Sequence, residues 1–431
     1  MNKIFEKLKT NSFLKNVLAL STGTAGAQLI TMLASPLITR FYGPEAFGVL
    51  GAFSAIINII VPIAALTYPI AIVLPKHEVE AKGLMKLSFI VSLIMSLITL
   101  LTLILFQNHI INILNLHGIA NYLYLIPLVI IFASIMQIMN QWFIRNNKFV
   151  LNAKATFYQS VITNGSKVGF GYFYPHAFVL VVLTTLSYAI RALLMMLYES
   201  PSKLFRKSNK NNNISLLKLA KKYRDFPMFR APESLITGLT HGIPTLMLTV
   251  FFGPATVGFY SIGRTVLSLP TQMVGNAVGD VFYPKITEAF NKGLDISKMI
   301  IRTTNVLLLI SIIPFGTVIL VGPILFAFVF GAEWVVAGEY ARWIALWSIT
   351  NFSNRPATRA LAVINAQKFH LYYTVFGLVV RVLAIWLGFI LFESDVATIA
   401  MFSIAGVFLN VGLILMAVYL SKRVIKKGVI R

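Results

Sequence analysis

Long apolar runs alternate with short polar segments along the whole chain. Runs of about 20 apolar residues recur from end to end, and each is long enough to cross a bilayer as an α-helix. The pattern therefore predicts an all-α polytopic membrane protein with about twelve transmembrane helices. The predicted spans are 16–39, 45–73, 84–106, 119–144, 153–172, 177–198, 228–250, 255–281, 301–327, 335–361, 370–391 and 397–420.

The longest polar stretch, residues 199–226, separates the sixth predicted span from the seventh. Its Ser, Asn and Lys residues cannot form a packed core. The sequence thus predicts an N-terminal six-helix lobe at 1–198, a basic cytoplasmic linker at 199–226 and a C-terminal six-helix lobe at 227–431. Residues 214–224 mix apolar side chains with lysines, which favours either an amphipathic helix on the membrane surface or a solvated linker helix.

One short passage occurs twice, as FYGPEAFGVLG at 41–51 and as FFGPATVGFYS at 251–261. A repeat at a fixed period indicates an internally duplicated fold, which is the plan of many membrane transporters. The lobes are therefore expected to be repeats of one another. Other pairs at nearly the same offset are Pro75-Lys76 with Pro284-Lys285, and Lys148-Phe149 with Lys368-Phe369.

The repeated Gly-Pro pairs, Gly43-Pro44 and Gly253-Pro254, lack the Lys-Ser/Thr that follows a nucleotide-binding glycine loop. They are expected to form tight extracytoplasmic turns. Two glycine pairs within spans have the small-xxx-small spacing that brings membrane helices close together. These pairs are Gly165 with Gly169, and Gly275 with Gly279.

Basic residues are distributed very unequally between the loops. If the N-terminus is cytoplasmic, 28 Lys and Arg residues lie on the cytoplasmic side and only Arg40 lies on the other. This is the positive-inside bias, and it places both termini in the cytoplasm. The net charge of +23 is then explained by orientation and by attraction to anionic lipids, so no nucleic-acid partner is expected.

Composition excludes several kinds of chemistry. Apolar residues make up 57% and charged residues 12% of the chain, against about 45–50% and 25% in soluble domains. There is no cysteine, so disulfides, thiol nucleophiles and thiolate metal sites are absent. The six histidines have no metal-binding spacing, and the short loops leave no room for a soluble catalytic domain. We therefore expect no enzyme activity, catalytic residue, cofactor or metal.

Eight basic residues fall inside predicted spans, where a charge costs about 2.5–3.5 kcal/mol and commonly marks function. Arg264 lies about ten residues into its span and Arg381 near the middle of its own. Long side chains near helix ends can instead reach the headgroups, which applies to Lys167, Arg230 and Arg359. The candidate substrate-binding residues are Arg264, Arg381, Arg191, Arg342 and Arg355.

A cavity with several arginines suits an anion, above all a phosphate, because guanidinium is always charged and presents a planar fork. Acidic residues in or near the spans are few. Glu233 and Asp280 are candidates for a coupling site that binds a proton or an ion. The alternative for the arginines is a buried structural ion pair with one of these carboxylates.

Several segments resemble the Wzx-type O-antigen and capsule repeat-unit flippases of the polysaccharide transporter family, in the MATE-like MOP superfamily. They are FYGPEAFGVLG, FFGPATVGFYSIGRTVLSLP, GDVFYPKITEAF and FGAEWVVAGEYARWIALW. The likeness runs through nearly the whole chain and is strongest at 36–76 and 223–290. It implies two six-helix lobes in a V and a location in the bacterial inner membrane. Of the candidate arginines, only Arg264 maps onto a family-typical arginine.

The resemblance also implies a function. Such proteins move undecaprenyl-diphosphate-linked oligosaccharides of lipopolysaccharide or capsule biosynthesis from the cytoplasmic to the periplasmic leaflet. The expected mechanism is alternating access with a cationic cavity that binds the diphosphate. The expected partners are the lipid-linked oligosaccharide, anionic lipids, and a glycan polymerase and chain-length regulator of the same pathway.

Two alternatives remain. A multidrug or ion antiporter of the same fold should have carboxylates facing cationic solutes, whereas this interior is basic. A membrane glycan polymerase or ligase should need a sizeable extracytoplasmic loop with reactive residues, and the predicted loops are short.

Overall fold

The computed structural model describes residues 12–199 and 215–426, without the side chains of 12–22, 114, 272–281, 425 and 426. Most of the predicted linker therefore lies outside the described residues. Within them the chain is helical and contains no β-strand. The predicted all-α fold class is confirmed.

Thirteen α-helices are present among the described residues. They are α1 (Ser12–Ile60), α2 (Glu78–Leu114), α3 (Ile126–Arg145), α4 (Phe149–Phe173), α5 (Ala177–Tyr198), α6 (Leu216–Lys222), α7 (Ala231–Phe252), α8 (Pro254–Asn291), α9 (Ile296–Phe330), α10 (Val335–Ser353), α11 (Arg355–Val363), α12 (Gln367–Phe392) and α13 (Asp395–Lys426). Short 3₁₀-helices occupy Val61–Ile63, Tyr68–Val73, His117–Leu125 and Ala332–Trp334, and Phe226–Arg230 forms a π-helical turn.

Eight helical segments of the described residues are long and apolar enough to cross a membrane. They make the protein a multi-pass membrane protein. The longest, Gly23–Ile63, contains most of the first two predicted spans. The predicted spans 153–172, 255–281 and 335–361 are helical as well, but they are more polar. These three helical regions carry Lys167, Arg264, Arg342 and Arg355.

Packing divides the chain into two units, Met1–Gly242 and Ile243–Arg431. The division falls inside α7, because the first part of this helix packs on α1. A Cβ added to Gly238 would lie 2.9 Å from the Asn58 carbonyl oxygen, so the two backbones touch there. The N-terminal part of α7 thus belongs to the first unit.

In the first unit, α1 lies along α4, α2 along α3, and α3 along α5. The α1–α4 contact is close where a glycine meets an aromatic ring. A Cβ on Gly171 would lie 2.6 Å from the Tyr42 ring, and the Tyr42 hydroxyl donates to the Lys167 carbonyl at 2.9 Å. The missing side chain of Gly171 therefore fixes the approach of these helices.

Regular helix stops after Ile60 in the first unit. Two short 3₁₀-helices follow, separated by Leu66 and Thr67, which both have left-handed φ angles of 48° and 59°. Carbonyl groups beyond this break are bound by Arg145, whose Nη1 donates to Ile72 at 3.2 Å and to Pro75 at 2.5 Å. An interrupted helix leaves carbonyl groups without helical hydrogen bonds, and the Arg145 guanidinium donates to some of these carbonyls.

In the second unit, α9 packs on α10 and α12 on α13, while α10 also contacts α8 and α13. The α9–α10 contact depends on Gly322 and Gly338. A Cβ on Gly338 would lie 2.5 Å from the Gly322 carbonyl oxygen, a separation that side-chain carbons do not tolerate. Gly322 lies beside the kink of α9 at Val321, just before Pro323.

The repeat in the sequence is also a repeat in local structure. Gly43 has φ 67° and ψ 172°, and Gly253 has φ 84° and ψ −175°. In both places a proline follows and helix resumes. A positive φ is open to glycine at little cost, which explains why both copies carry it.

The interpretation of Gly165 and Gly169 as a close helix contact is wrong. Neither has any neighbouring atom within 4 Å of an added Cβ. The spacing was right for a contact motif, but this face of α4 is open, and Gly171 makes the contact instead. The other predicted pair, Gly275 and Gly279, lies among residues whose side chains are outside the described set.

Gly338→Ala should destabilise the second unit, because the new methyl group would force α9 and α10 apart. Overpacking of this kind costs about 1–3 kcal/mol. The measurement is thermal unfolding of purified protein in detergent. Gly165→Ala is the matched control and should not lower the midpoint; equal midpoints for the two variants would contradict the prediction.

The predicted orientation can be tested by single cysteines, since the chain has none of its own. Glu45→Cys and Glu333→Cys, both at exposed positions near predicted extracytoplasmic turns, should react with an impermeant maleimide added to intact cells. Lys298→Cys, also exposed, should be protected until the membrane is opened. The opposite labelling pattern would invert the topology.

Candidate functional site

Arg264 and Arg381 are brought together in the second unit around one tyrosine. Arg264 lies on α8, one turn after Tyr260, and Arg381 lies in the middle of α12. The Tyr260 side chain is only 1% exposed, and its hydroxyl interacts electrostatically with both guanidinium groups. Two arginines that are distant in sequence are therefore neighbours of the same tyrosine.

The surroundings of Arg381 leave room for its guanidinium. A Cβ on Gly377 would lie 3.4 Å from Nη1 of Arg381, so glycine one turn earlier keeps this space free. The Nε atom is buried without a hydrogen-bond partner, and no described carboxylate forms an ion pair with this arginine. A buried cationic donor without a partner is costly unless a solute or water supplies acceptors.

The wall beside Arg381 carries a second tyrosine. Tyr373 on α12 interacts electrostatically with Arg381 and donates its hydroxyl to the Leu409 carbonyl at 2.7 Å. Gly412 permits this approach, because a Cβ there would lie 2.6 Å from the tyrosine oxygen. The cluster Arg264–Tyr260–Arg381–Tyr373 is named the arginine–tyrosine cluster below.

Arg191 lies in the first unit and belongs to a different polar group. Its Nη2 donates to Oδ1 of Asn152 at 3.3 Å, and Nδ2 of Asn152 donates to Oδ1 of Asn140 at 2.6 Å. The Nε atom is buried without a partner. This arginine therefore contacts a neutral amide rather than a carboxylate.

Arg342 and Arg355 do not join the arginine–tyrosine cluster through any described contact. Arg342 is exposed and donates from Nη2 to the Leu320 carbonyl at 3.0 Å, beside the kink of α9. It therefore stabilises the interrupted backbone of that helix. Arg355 is the first residue of α11 and is half-buried, with its Nε atom unpartnered.

The two candidate coupling carboxylates are Glu233 and Asp280. Glu233 is exposed and forms an ion pair with Arg230 at 2.9 Å, three residues earlier. Such an exposed pair contributes about 0–1 kcal/mol and resembles a surface feature more than an ion-coupling site. The side chain of Asp280 lies outside the described residues.

Sequence reasoning missed Asp395, the first residue of α13. Its Oδ2 accepts a hydrogen bond from the buried Tyr340 hydroxyl of α10, and the Thr256 hydroxyl of α8 lies 3.5 Å away. Its Oδ1 accepts from the Val396 backbone N–H at 2.6 Å. One carboxylate thus joins three helices at one end of the second unit. Asp395 lies at the start of α13, next to a loop, and this position does not indicate contacts with other helices.

Sequence reasoning also missed a polar stripe on α4. The residues recur every three or four positions and so lie on one helix face. The stripe is buried against α1, where the Ser160 hydroxyl donates to the Ala27 carbonyl at 2.8 Å and Nδ2 of Asn164 donates to Thr31 at 3.0 Å. Helical spacing alone could have found it. Its residues are Asn152, Thr156, Ser160, Thr163, Asn164 and Lys167.

The described part of the linker is docked on the first unit. Leu219 of α6 is 1% exposed and fits against Gly83 of α2, while Lys222 forms an ion pair with Glu80. The hydrogen bond to Glu80 raises the pKa of Lys222. Because the pKa of Lys222 is raised, its ion pair with Glu80 persists into the alkaline range and is lost only when the pH rises through that raised pKa.

No group of three or more His, Cys, Asp or Glu residues that could hold a metal ion occurs among the residues searched, 12–199 and 215–426. The arrangement in the two units is instead one of buried arginines with tyrosine and amide neighbours. Such groups bind anions and hydroxyl groups.

Solved structures show which class of fold this is. An inward-facing multidrug resistance MATE family transporter of the MOP superfamily is 15% identical, with a TM-score of 0.72 over 93% of this chain and 96% of that chain. The lipid II flippase MurJ in an inward closed conformation is 13% identical, with a TM-score of 0.74 over 93% of this chain and 87% of that chain. The protein has the MOP transporter fold.

A third structure is a MOP superfamily transporter from Pyrococcus furiosus that is described as having a binding pocket of reverse polarity. It is 14% identical, with a TM-score of 0.58 over 96% of each chain. Among curated proteins no match is found. A family model described as polysaccharide biosynthesis protein matches residues 37–339. The chain belongs to this family, which confirms the family resemblance seen in its motifs.

Tyr340→Phe should destabilise the second unit, because Asp395 would lose its buried donor. Removing one partner of a buried hydrogen bond to a charged group costs about 1.5–3 kcal/mol. The thermal unfolding midpoint in detergent measures the effect. Tyr372→Phe, at a position 73% exposed, is the control; an equal midpoint for both variants would show that the Asp395 contact does not hold these helices together.

Proposed function

We propose that this protein is a flippase that moves an undecaprenyl-diphosphate-linked oligosaccharide from the cytoplasmic to the periplasmic leaflet of a bacterial inner membrane. Both its termini would be cytoplasmic, as the distribution of basic residues predicts. The substrate would serve an O-antigen, capsule or related glycan pathway. The family and the fold favour a transporter over an enzyme.

One observation carries the proposal: Arg264 and Arg381 share the arginine–tyrosine cluster, and Arg381 has no ion pair with a described carboxylate. A diphosphate would supply acceptors for the buried Nε atom of Arg381, which has no hydrogen-bond partner. Guanidinium forks bind phosphate oxygens in pairs, and such charge-assisted hydrogen bonds are the strong ones. The structural neighbour that is a lipid II flippase supports a lipid-linked solute of this kind.

In the proposed cycle the diphosphate head enters from the cytoplasmic side and replaces water on these guanidinium groups. Tyr260 is buried between the two arginines, and the Tyr373 hydroxyl is bonded to the Leu409 carbonyl, so both tyrosines would position the guanidinium groups rather than contact the first sugar. The polyprenyl tail stays in the lipid. Reorientation by alternating access then exposes the head to the periplasm, and no covalent step is needed.

The antiporter alternative finds less support. A carrier of cationic drugs needs carboxylates that face its solute, and Glu233 is exposed and already paired with Arg230. Asp395, which is held by Tyr340, contacts the ends of three helices and not the arginine–tyrosine cluster. Asp280 remains a candidate site for a coupling proton or ion.

Arg264→Ala with Arg381→Ala should abolish surface glycan in a strain that lacks the native gene. Each substitution removes charge-assisted hydrogen bonds worth about 1.5–3 kcal/mol, or roughly tenfold to a hundredfold in affinity. Surface glycan is measured by immunoblot, and membrane insertion by fractionation. Arg302→Ala, which removes an exposed arginine of the same unit, is the control. Full export by the double variant would overturn the assignment.

A further inference from the structure

Arg355 and Arg359 form a second cationic group in the second unit. They are one turn apart at the start of α11, so their side chains share a face and their charges repel. Neither guanidinium has a hydrogen bond or an ion pair with a described residue. The Arg359 guanidinium lies 5.9 Å from the ring centre of Tyr283 on α8.

The turn after α3 provides a reference for this group, because the turn after α11 has the same form. Asn147 and Asn365 have φ angles of 55° and 57°. The N–H of Lys148 donates to the Phe143 carbonyl at 2.8 Å, and that of Ala366 to Leu361 at 2.8 Å. Both helices therefore end in the same kind of turn.

Counted back from this turn, Gln137 and Gln141 of α3 hold the positions that Arg355 and Arg359 hold in α11. Gln137 donates from Nε2 to the Val61 carbonyl at 2.9 Å, so a neutral amide is satisfied at that distance from the turn. A helix end of this form does not require two positive charges. Arg355 and Arg359 therefore lie side by side without a role in the turn itself.

The group is open to a solute. Arg359 is exposed, Arg355 is half-buried, and Tyr283 is 41% exposed. The nearby carboxylate of Glu288 on α8 is already bonded to Lys292 at 2.5 Å. A pair of forks with an adjacent aromatic ring suits a phosphate group, which would relieve the repulsion between the two guanidinium groups.

We propose that Arg355, Arg359 and Tyr283 form a second binding site for a phosphate or diphosphate group, separate from the arginine–tyrosine cluster. With the predicted cytoplasmic N-terminus, α11 lies near the cytoplasmic side of the membrane. The site would receive either the diphosphate head of the solute before it moves inward or the headgroup of an anionic lipid. Binding of the solute's diphosphate head rests on the proposed function, whereas the existence of the phosphate site does not.

Binding of inorganic pyrophosphate to the full-length protein tests the site, by calorimetry in nanodiscs of phosphatidylcholine. Arg264→Gln with Arg381→Gln provides a background without the first cluster. Binding should persist in this background and weaken at least about tenfold when Arg355→Gln and Arg359→Gln are added. Glutamine is uncharged, and α3 carries it at the same distance from a turn of the same form, so the fold should tolerate these changes. Arg302→Gln is the control and should have no effect.

Arg355→Lys with Arg359→Lys keeps the charge and removes the fork, and it should lose part of the affinity. The site is overturned if the background variant does not bind pyrophosphate, or if the glutamine pair binds as well as Arg302→Gln. Asp280, one turn before Tyr283, must also be tested. Binding that appears only after Asp280→Asn would show that this carboxylate neutralises the arginines, and it would overturn the proposal.

Nanodiscs with added phosphatidylglycerol distinguish the two sources of phosphate. If an anionic lipid is the natural occupant, this lipid should weaken pyrophosphate binding at the site, and the glutamine pair should remove the competition. If the solute head is the occupant, pyrophosphate should bind equally well in both lipids. Failure of the export test alone would leave this result standing, so the two proposals can fail separately.

Discussion

A guanidinium group inside a membrane protein must find its hydrogen-bond acceptors in the protein, in water or in a solute, because lipid chains offer none. The described residues meet this need in different ways. Arg145 and Arg342 bind backbone carbonyls beside interrupted helices, and Arg191 binds the Asn152 side chain. Arg381 has no such partner. Arginines with a protein partner therefore have an evident structural role, and Arg381 is left as a candidate for binding a solute.

The same constraint shapes the helices. Helices α2 and α9 expose many large apolar side chains, yet they also bury serines such as Ser92 and Ser311, so polar groups enter the packed interior on apolar helices too. Close approach is then governed by glycine, as at Gly171 and at Gly338, where the partner is an aromatic ring or a backbone carbonyl. Polar contacts and glycine contacts together hold helices that gain little from hydrophobic burial in lipid.

Much of the fold could be predicted from sequence, because hydrophobic length and the repeated Gly-Pro motif are local signals. Helix covers most of each predicted segment, although 45–73 is interrupted after Ile60 and 335–361 is divided at Asn354, and both glycines of the motif adopt a positive φ. What could not be predicted depends on distant partners. Nothing in the sequence near Arg342 shows that it meets the Leu320 carbonyl, and nothing near Asp395 shows Tyr340. Small-residue spacing failed at Gly165 because the pattern does not say whether a neighbour is present.

The break after Ile60 has a mechanical consequence. A continuous helix such as α8 behaves as a stiff rod, so a push at one end arrives at the other. The corresponding stretch of the first repeat is jointed at Leu66 and Thr67, where two left-handed residues replace a helical turn. A movement of the chain after Leu66 and Thr67 need not be transmitted to Gly43. The two copies of the Gly-Pro motif are thus followed by backbones of different form, and only the first copy has a break of this kind where the chain can bend.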